Sequence, residues 1–197
     1  EKDIGIYTFV VPQDMRYSLS AQSQITYIYI NDVKQYIGAT SINDDFAANT
    51  TLYIVLNNIS DADTITISVA HDDVLIIGTE KVIQTGSDGY SIVKFTVEEN
   101  SYYSITSSEE FTLFTENLLS IANKDYGYLS AGVYYIKADL NASGNVTLKV
   151  EKASQQINPH QHYTINETSY FVVDLEKNTK YIFETLGDAD KDISTSI

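Results

Sequence analysis

Aspartates spaced two residues apart are the residues of this chain best suited to binding a cation. Asp188, Asp190 and Asp192 alternate in "GDADKD", and Asp61 and Asp63 repeat half of that pattern in "SDADT". Alternate side chains of an extended strand point to one side, so three carboxylates can face one Ca²⁺ ion, which takes six to eight oxygen ligands. Aspartates also form turns and keep strand edges from aggregating. The pattern therefore predicts either a calcium site or an acidic turn.

Tyrosine is the second residue type that could form a site. The chain has 16 tyrosines and no tryptophan, and exposed aromatic faces bind sugars and peptides. The densest groups predict a ligand-binding platform at Tyr102, Tyr126, Tyr128, Tyr134 and Tyr135. Tyrosine is also an ordinary strand residue, so packing within a sheet is the alternative interpretation.

Catalytic constellations are missing from the sequence. His71, His160 and His162 are the three histidines, there is no cysteine, and no Gly-x-Ser-x-Gly elbow precedes a histidine. His160 and His162 could bind a metal from one side of a strand, but no third ligand lies near them in the sequence. We therefore expect a protein that is not an enzyme and has no cofactor other than the calcium considered above.

The charge of the chain limits its partners. Twelve basic residues stand against 27 acidic ones, which gives a net charge of -15, and Arg16 is the single arginine. Such a surface repels phosphate backbones and anionic membranes, so we expect no nucleic acid as a partner. The apolar runs are too short for a membrane-spanning helix, so we expect no membrane insertion. Because the chain starts at Glu1, we expect it to be a mature or excised piece of a longer protein.

The elements that would position these residues are strands. Ile, Val, Tyr, Thr and Phe dominate, and alternating segments recur every 8–12 residues between Gly, Asn, Asp and Ser turns. This pattern predicts an all-β fold of tandem antiparallel β-sandwich repeats, with a barrel as the alternative arrangement of the strands. In "VYYIKADL" the alternation predicts that Ile136 faces the core, so that a neighbouring tyrosine either faces solvent or reaches a partner through its hydroxyl.

Three segments share one pattern of strand, polar turn and Tyr-initiated strand. They are "FVVPQDMRYSLS" (9–20), "FTVEENSYYSIT" (95–106) and "FVVDLEKNTKYIFE" (171–184), which align Tyr17, Tyr103 and Tyr181. Internal similarity of this kind indicates repeated units. We predict a first repeat over 1–75, a second over 76–155, and in 156–197 either a partial third repeat, cut off by the end of the chain, or strands that complete the first.

The segments "YSI", "FTLF", "LSAGVYYI" and "VTLKV" within residues 91–150, together with "SYFVVDLEKNTKYIFETLGDADKD" (169–192), resemble the bacterial pre-peptidase C-terminal domains. That resemblance implies small jelly-roll-like β-sandwiches attached to secreted enzymes and surface proteins, some of which bind collagen through tyrosines on strand faces. The second repeat departs from the family because "SSEEFTLF" stands where the acidic Gly-Asp-Ala-Asp turn would fall.

Together these observations predict a non-catalytic extracellular array of β-sandwich modules from a secreted or cell-surface bacterial protein. Its function would be spacing, adhesion or weak binding of a glycan or an extracellular protein. The alternative is a polysaccharide- or collagen-binding accessory module of a secreted hydrolase. The oligomeric state stays open.

Overall fold

The computed structural model describes residues 3–57, 64–84, 89–122, 125–152, 155–164, 171–173, 175–182 and 184. Every regular element among them is a strand, so the predicted all-β class is confirmed. The strands are β1 (Ile4–Val10), β2 (Met15–Ile30), β3 (Val33–Phe46), β4 (Thr51–Asn57), β5 (Ile65–Val69), β6 (Asp73–Val74), β7 (Lys81–Gln84), β8 (Tyr90–Val97), β9 (Ser101–Ser107), β10 (Phe111–Thr115), β11 (Ser120–Ile121), β12 (Tyr126–Leu129), β13 (Gly132–Asp139), β14 (Asn145–Lys152), β15 (Gln155–Ile157) and β16 (Phe171–Val173).

The chain divides into two compact units, residues 1–152 and residues 153–197. In the second unit, β15 and β16 pair in parallel, and the rings of Tyr163 and Phe171 lie 6.4 Å apart. The Tyr181 hydroxyl accepts a hydrogen bond from the Glu176 amide at 3.0 Å. No described helix has the length and apolarity that crossing a membrane requires.

Sheet A contains β1, β4, β2 and β3 in that order, with β5 beside the first part of β2. A tight turn at Asn31 and Asp32, both with positive φ, joins the long strands β2 and β3. Strand β2 changes partner along its length, since Tyr17–Ala21 pair with β5 and Ile25–Ile30 with β4. The irregular register between these two parts bends the sheet over its own core, where the rings of Phe9 and Tyr17 lie 5.7 Å apart.

The strands that come after β5 in the chain, β6–β14, form sheets B and C, which pack face to face as a sandwich. Sheet B has the order β11-β10-β13-β8-β6 and sheet C the order β12-β9-β14-β7. Their facing side chains make one buried cluster that includes Phe95, Ile136 and Leu148. Ile136 is fully buried, which confirms its predicted place in the core.

The pairing pattern of β1–β5 (module 1) recurs in β6–β14 (module 2). All the matched pairs are antiparallel: β1–β4 corresponds to β8–β13, β4–β2 to β13–β10, and β2–β5 to β9–β14. The long strand β2 thus takes the place of both β9 and β10. The Tyr17 hydroxyl donates to the Gln13 carbonyl at 3.0 Å, and the Tyr103 hydroxyl donates to the Glu99 carbonyl at the same distance. The two aligned tyrosines therefore make the same bond, while the predicted sequence repeats and their boundaries stay a prediction.

Sheet B is covered on both of its faces. One face carries Tyr134 and Ile136 in the cluster shared with sheet C, and the other carries Ile92, Phe114 and Tyr135 in the cluster of module 1. Both sets are buried because module 1 packs against the face of sheet B that points away from sheet C. The described residues of the first unit thus form two buried clusters that meet at sheet B.

Candidate binding surfaces

The predicted cation ligands fall outside the described residues. This applies to all five aspartates, Asp61, Asp63, Asp188, Asp190 and Asp192. Within the part of the chain that the structure describes, no three His, Asp or Glu side chains come close enough together to hold a metal ion. Calcium binding at the five aspartates stays a prediction.

The three histidines are exposed in the structure. His71 follows β5, and His160 lies in a turn with φ of 63° in the second unit, two residues before His162. None of the three histidines lines the cleft beside Tyr90 and Lys137 or the cleft between Gln13 and Asp139.

Tyr134 and Tyr135, both predicted as ligand-binding residues, point into opposite cores. The Tyr134 ring stacks on Phe95 with 5.4 Å between ring centres, and its hydroxyl donates to the Ser130 carbonyl at 2.9 Å. Tyr135 belongs to the cluster between sheet B and module 1. Burial raises the pKa of both phenols. The two residues are only 7% and 8% exposed, so neither presents a ring face to a ligand.

Tyr102 and Tyr128, also predicted, lie together on the outer face of sheet C. They are register partners on β9 and β12, and their rings meet edge to face with centres 5.5 Å apart. Tyr128 is 56% exposed. Tyr126, the fifth predicted tyrosine, lies two residues away on β12 and pairs with Ser104. Tyr128 is therefore the exposed member of this pair, and Tyr102 is half-buried beside it.

A second aromatic surface, not predicted from the sequence, covers the outer face of sheet A. Along β4, Leu52, Ile54 and Leu56 point into the core, while the alternating Tyr53 and Val55 point outward. Strand register places outward residues of the neighbouring strands in two rows. These residues form the tyrosine face, which consists of Ile6, Val55, Tyr27 and Tyr36 in one row and Thr8, Tyr53, Tyr29 and Lys34 in the other.

The tyrosine face is exposed and locally ordered by ring contacts. Tyr36 is 71% exposed and Ile6 is 68% exposed. The Tyr27 ring meets Tyr36 edge to face at 5.8 Å, and the Lys34 ammonium lies 3.6 Å from the Tyr27 ring centre. Gly38 has φ of +65°, and a Cβ there would lie 2.8 Å from the Tyr36 hydroxyl. Glycine at this position therefore leaves room for the Tyr36 ring along its own strand.

The contact between module 1 and sheet B is centred on an ion pair. Arg16 Nη1 lies 2.6 Å from Asp72 Oδ1, and both side chains are less than a fifth exposed. The other carboxylate oxygen of Asp72 accepts from the Ile92 amide at 2.8 Å and from the Ser91 hydroxyl at 3.2 Å. Burial opposes the charge on Arg16, but the interactions with Asp72, Tyr90 and Asp45 together outweigh it, so the pKa of Arg16 is raised. Asp72 thus connects a strand of sheet A to a strand of sheet B.

Tyr90 and Lys137 of sheet B complete this contact. The Tyr90 hydroxyl donates to Asp45, and its ring has the Arg16 guanidinium at 5.6 Å and the Lys137 ammonium at 4.4 Å. Lys137 also donates to the Asp14 carbonyl at 2.6 Å. An adjoining open cleft of about 250 Å³ is lined by these groups without a histidine or serine. Their hydrogen bonds and ion pairs join the two modules, and the cleft offers no nucleophile beside a base.

Comparison of the sequence with models of known protein families and with curated proteins gave no match. The tyrosine face and the Tyr102–Tyr128 pair are therefore interpreted from their geometry. A sequence signal for the tyrosine face exists in "YIYI" (27–30), whose tyrosines must share one side of a strand. Recognising the whole face also requires the register that brings Tyr36 and Tyr53 beside them.

Proposed function

We propose that this chain is a non-catalytic array of β-sandwich modules from a secreted or cell-surface protein, and that it acts in spacing and adhesion through the tyrosine face. The observation that carries the proposal is the alignment of tyrosine and aliphatic side chains across four adjacent strands of sheet A, among which Ile6, Tyr36 and Tyr53 are exposed. Large exposed apolar patches on a protein surface usually mark contact sites. Tyrosine suits such a site because its ring packs and its hydroxyl forms hydrogen bonds.

The spacing role follows from the way in which module 1 meets module 2. A flexible linker would leave neighbouring modules free to reorient. Here buried apolar side chains and the Arg16–Asp72 ion pair fix module 1 against sheet B. A fixed junction holds the tyrosine face at a constant distance and orientation from the rest of module 2, as a presenting element requires.

The alternative function is that of a polysaccharide- or collagen-binding accessory module of a secreted hydrolase. Two rows of side chains on a broad sheet face suit an extended polymer, which can contact several aromatic rings in succession. The net charge of -15 favours neutral or basic ligands over anionic ones. Calcium at the five predicted aspartates remains part of the proposal, and calorimetric titration with millimolar Ca²⁺, with a parallel melting curve, tests it through heat release and a shift in melting temperature.

Binding to immobilised glycans and extracellular matrix proteins, including collagen, tests the proposal. Tyr36→Ala and Tyr53→Ala remove exposed rings from the tyrosine face, and we expect each to weaken binding at least about tenfold, as loss of a central aromatic contact does. Val82→Ala is the matched control, because Val82 is 55% exposed on strand β7 of sheet C. Binding that is equally strong in all three variants would show that the tyrosine face is not the ligand surface.

A further inference from the structure

The outer faces of sheet A and sheet B occupy the same place in the two modules. Ile54 of β4 and Ile136 of β13 are both fully buried, and each is flanked by the corresponding neighbouring strands of its module. When Ile54 is matched with Ile136, the residue before each of them is a tyrosine. Tyr53, which pairs with Tyr29, therefore corresponds to Tyr135, which pairs with Phe114. The same register matches Ile6 with Ile92.

These matched positions differ sharply in exposure. Ile92 is 0% exposed and Tyr135 is 8% exposed, whereas Ile6 is 68% exposed and Tyr53 is 43% exposed. On sheet B the cover is one end of module 1, which supplies Asp14, Arg16 and Asp45 to the contact with Tyr90 and Lys137. The tyrosine face is therefore the counterpart of a surface that, in module 2, binds the end of another module.

Module 2 has an end of the same construction as the end of module 1. Asp14 accepts a hydrogen bond from the Ala48 amide at 2.6 Å, and Asn100 accepts one from the Ala131 amide at 2.8 Å. The adjoining register pair is Arg16 with Asp45 in module 1 and Tyr102 with Tyr128 in module 2. The Tyr102–Tyr128 pair thus stands where Arg16 and Asp45 contact the next sheet.

The tyrosine face and the Tyr102–Tyr128 end match each other in chemistry as well as in position. The charged end of module 1 meets polar partners on sheet B, namely Tyr90 and Lys137. The register equivalents of these partners on sheet A are Ile4, 63% exposed, and Val55. An aromatic end is therefore complementary to the apolar tyrosine face, as a charged end is complementary to Tyr90 and Lys137.

We propose that the tyrosine face binds the Tyr102–Tyr128 end of a second copy of this chain, an inference that rests on the proposed role of that face in adhesion. The two surfaces differ and lie on different modules, so the contact is heterologous and joins copies head to tail. Each added copy leaves one free surface at either end, and the assembly grows beyond a dimer as the protein concentration rises. The adhesion would then be homotypic.

Sedimentation velocity of the full chain over a concentration series tests this inference. Tyr53→Glu places a charge on the tyrosine face and Tyr128→Glu places one on the aromatic end, and we expect each to weaken association at least about tenfold. Val82→Glu is the control, because Val82 lies on β7, at the edge of sheet C opposite to β12 and Tyr128, and this variant is expected to associate like the unchanged chain. Circular dichroism checks that each variant is folded, and Ile6→Ser serves as a second change of the same face.

Mixing the two variants gives the sharpest result. Chains with Tyr53→Glu keep an intact aromatic end and chains with Tyr128→Glu keep an intact tyrosine face, so an equimolar mixture should form heterodimers and nothing larger. The inference is overturned if the unchanged chain stays monomeric up to about 1 mM, where a contact of about -4 kcal/mol would be half formed. It is also overturned if association survives both glutamate changes.

The binding assay on glycans and matrix proteins separates this inference from the proposed function. A monomeric chain that still binds one of these ligands through Tyr36 and Tyr53 would refute the homotypic contact and leave the adhesive role of the tyrosine face intact. A chain that neither self-associates nor binds any ligand through that face would refute both.

Discussion

Replacing Asp72 with alanine should weaken the junction between module 1 and sheet B. The substitution removes the acceptor of the Arg16 guanidinium at 2.6 Å and of the Ile92 amide at 2.8 Å. Removing one member of a buried ion pair costs about 3–5 kcal/mol. The Arg16 and Asp72 side chains are 18% and 14% exposed, so solvent screens part of this effect. We expect the free energy of unfolding to fall by about 2–3 kcal/mol.

Urea denaturation followed by circular dichroism measures this loss, and the neighbouring residue supplies the control. Asp73 lies 2.5 Å from the Lys81 ammonium, but these side chains are 32% and 41% exposed. Asp73→Ala should therefore cost less than about 1 kcal/mol. Replacing Arg16 by Met together with Asp72→Ala should recover part of the loss, because no uncompensated charge is left. Equal losses from Asp72→Ala and Asp73→Ala would refute the assignment of the junction to the Arg16–Asp72 pair.

Two further predictions concern buried tyrosines. Tyr17→Phe and Tyr103→Phe should each lower the free energy of unfolding by about 0.5–1.5 kcal/mol, because each variant loses one hydrogen bond to a backbone carbonyl. Similar urea midpoints for Tyr103→Phe and the unchanged chain would contradict this. Burial raises the pKa of Tyr17, Tyr103, Tyr134 and Tyr135, so above about pH 10 the unfolded chain loses protons that the folded chain keeps. The stabilisation from these four phenols should be fully present below about pH 10 and should be lost as the pH rises further, and a free energy of unfolding that does not fall between about pH 10 and pH 12 would contradict this.

Strand alternation predicted the fold class and the burial of Ile136, since both depend on local pattern. It could not predict that Tyr134 and Tyr135 are both buried. Alternation assigns neighbouring residues to opposite faces of a sheet, and only the packing of module 1 determines that both faces of sheet B are covered.

For a related reason, only the Tyr27 and Tyr29 part of the tyrosine face could be predicted from the sequence. Tyr27 and Tyr29 are close in sequence, but Tyr53 joins them through the β2–β4 register and Tyr36 through the β2–β3 register. That register includes an irregularity near Ile25 and Gly38, and a shift of one residue would turn the side chains to the opposite face. Residue types alone therefore favoured the sequence-adjacent tyrosines of module 2.

Chemical footprinting of the tyrosines by hydroxyl radicals, read out by mass spectrometry, tests most directly which aromatic surfaces the protein offers to partners. In dilute protein, Tyr36, Tyr53 and Tyr128 should be modified rapidly, and Tyr134 and Tyr135 slowly, in line with their exposure. At concentrations at which copies associate, Tyr53 and Tyr128 should become protected together. Modification of Tyr134 and Tyr135 as fast as that of Tyr36 would contradict the arrangement of sheets on which the tyrosine face depends.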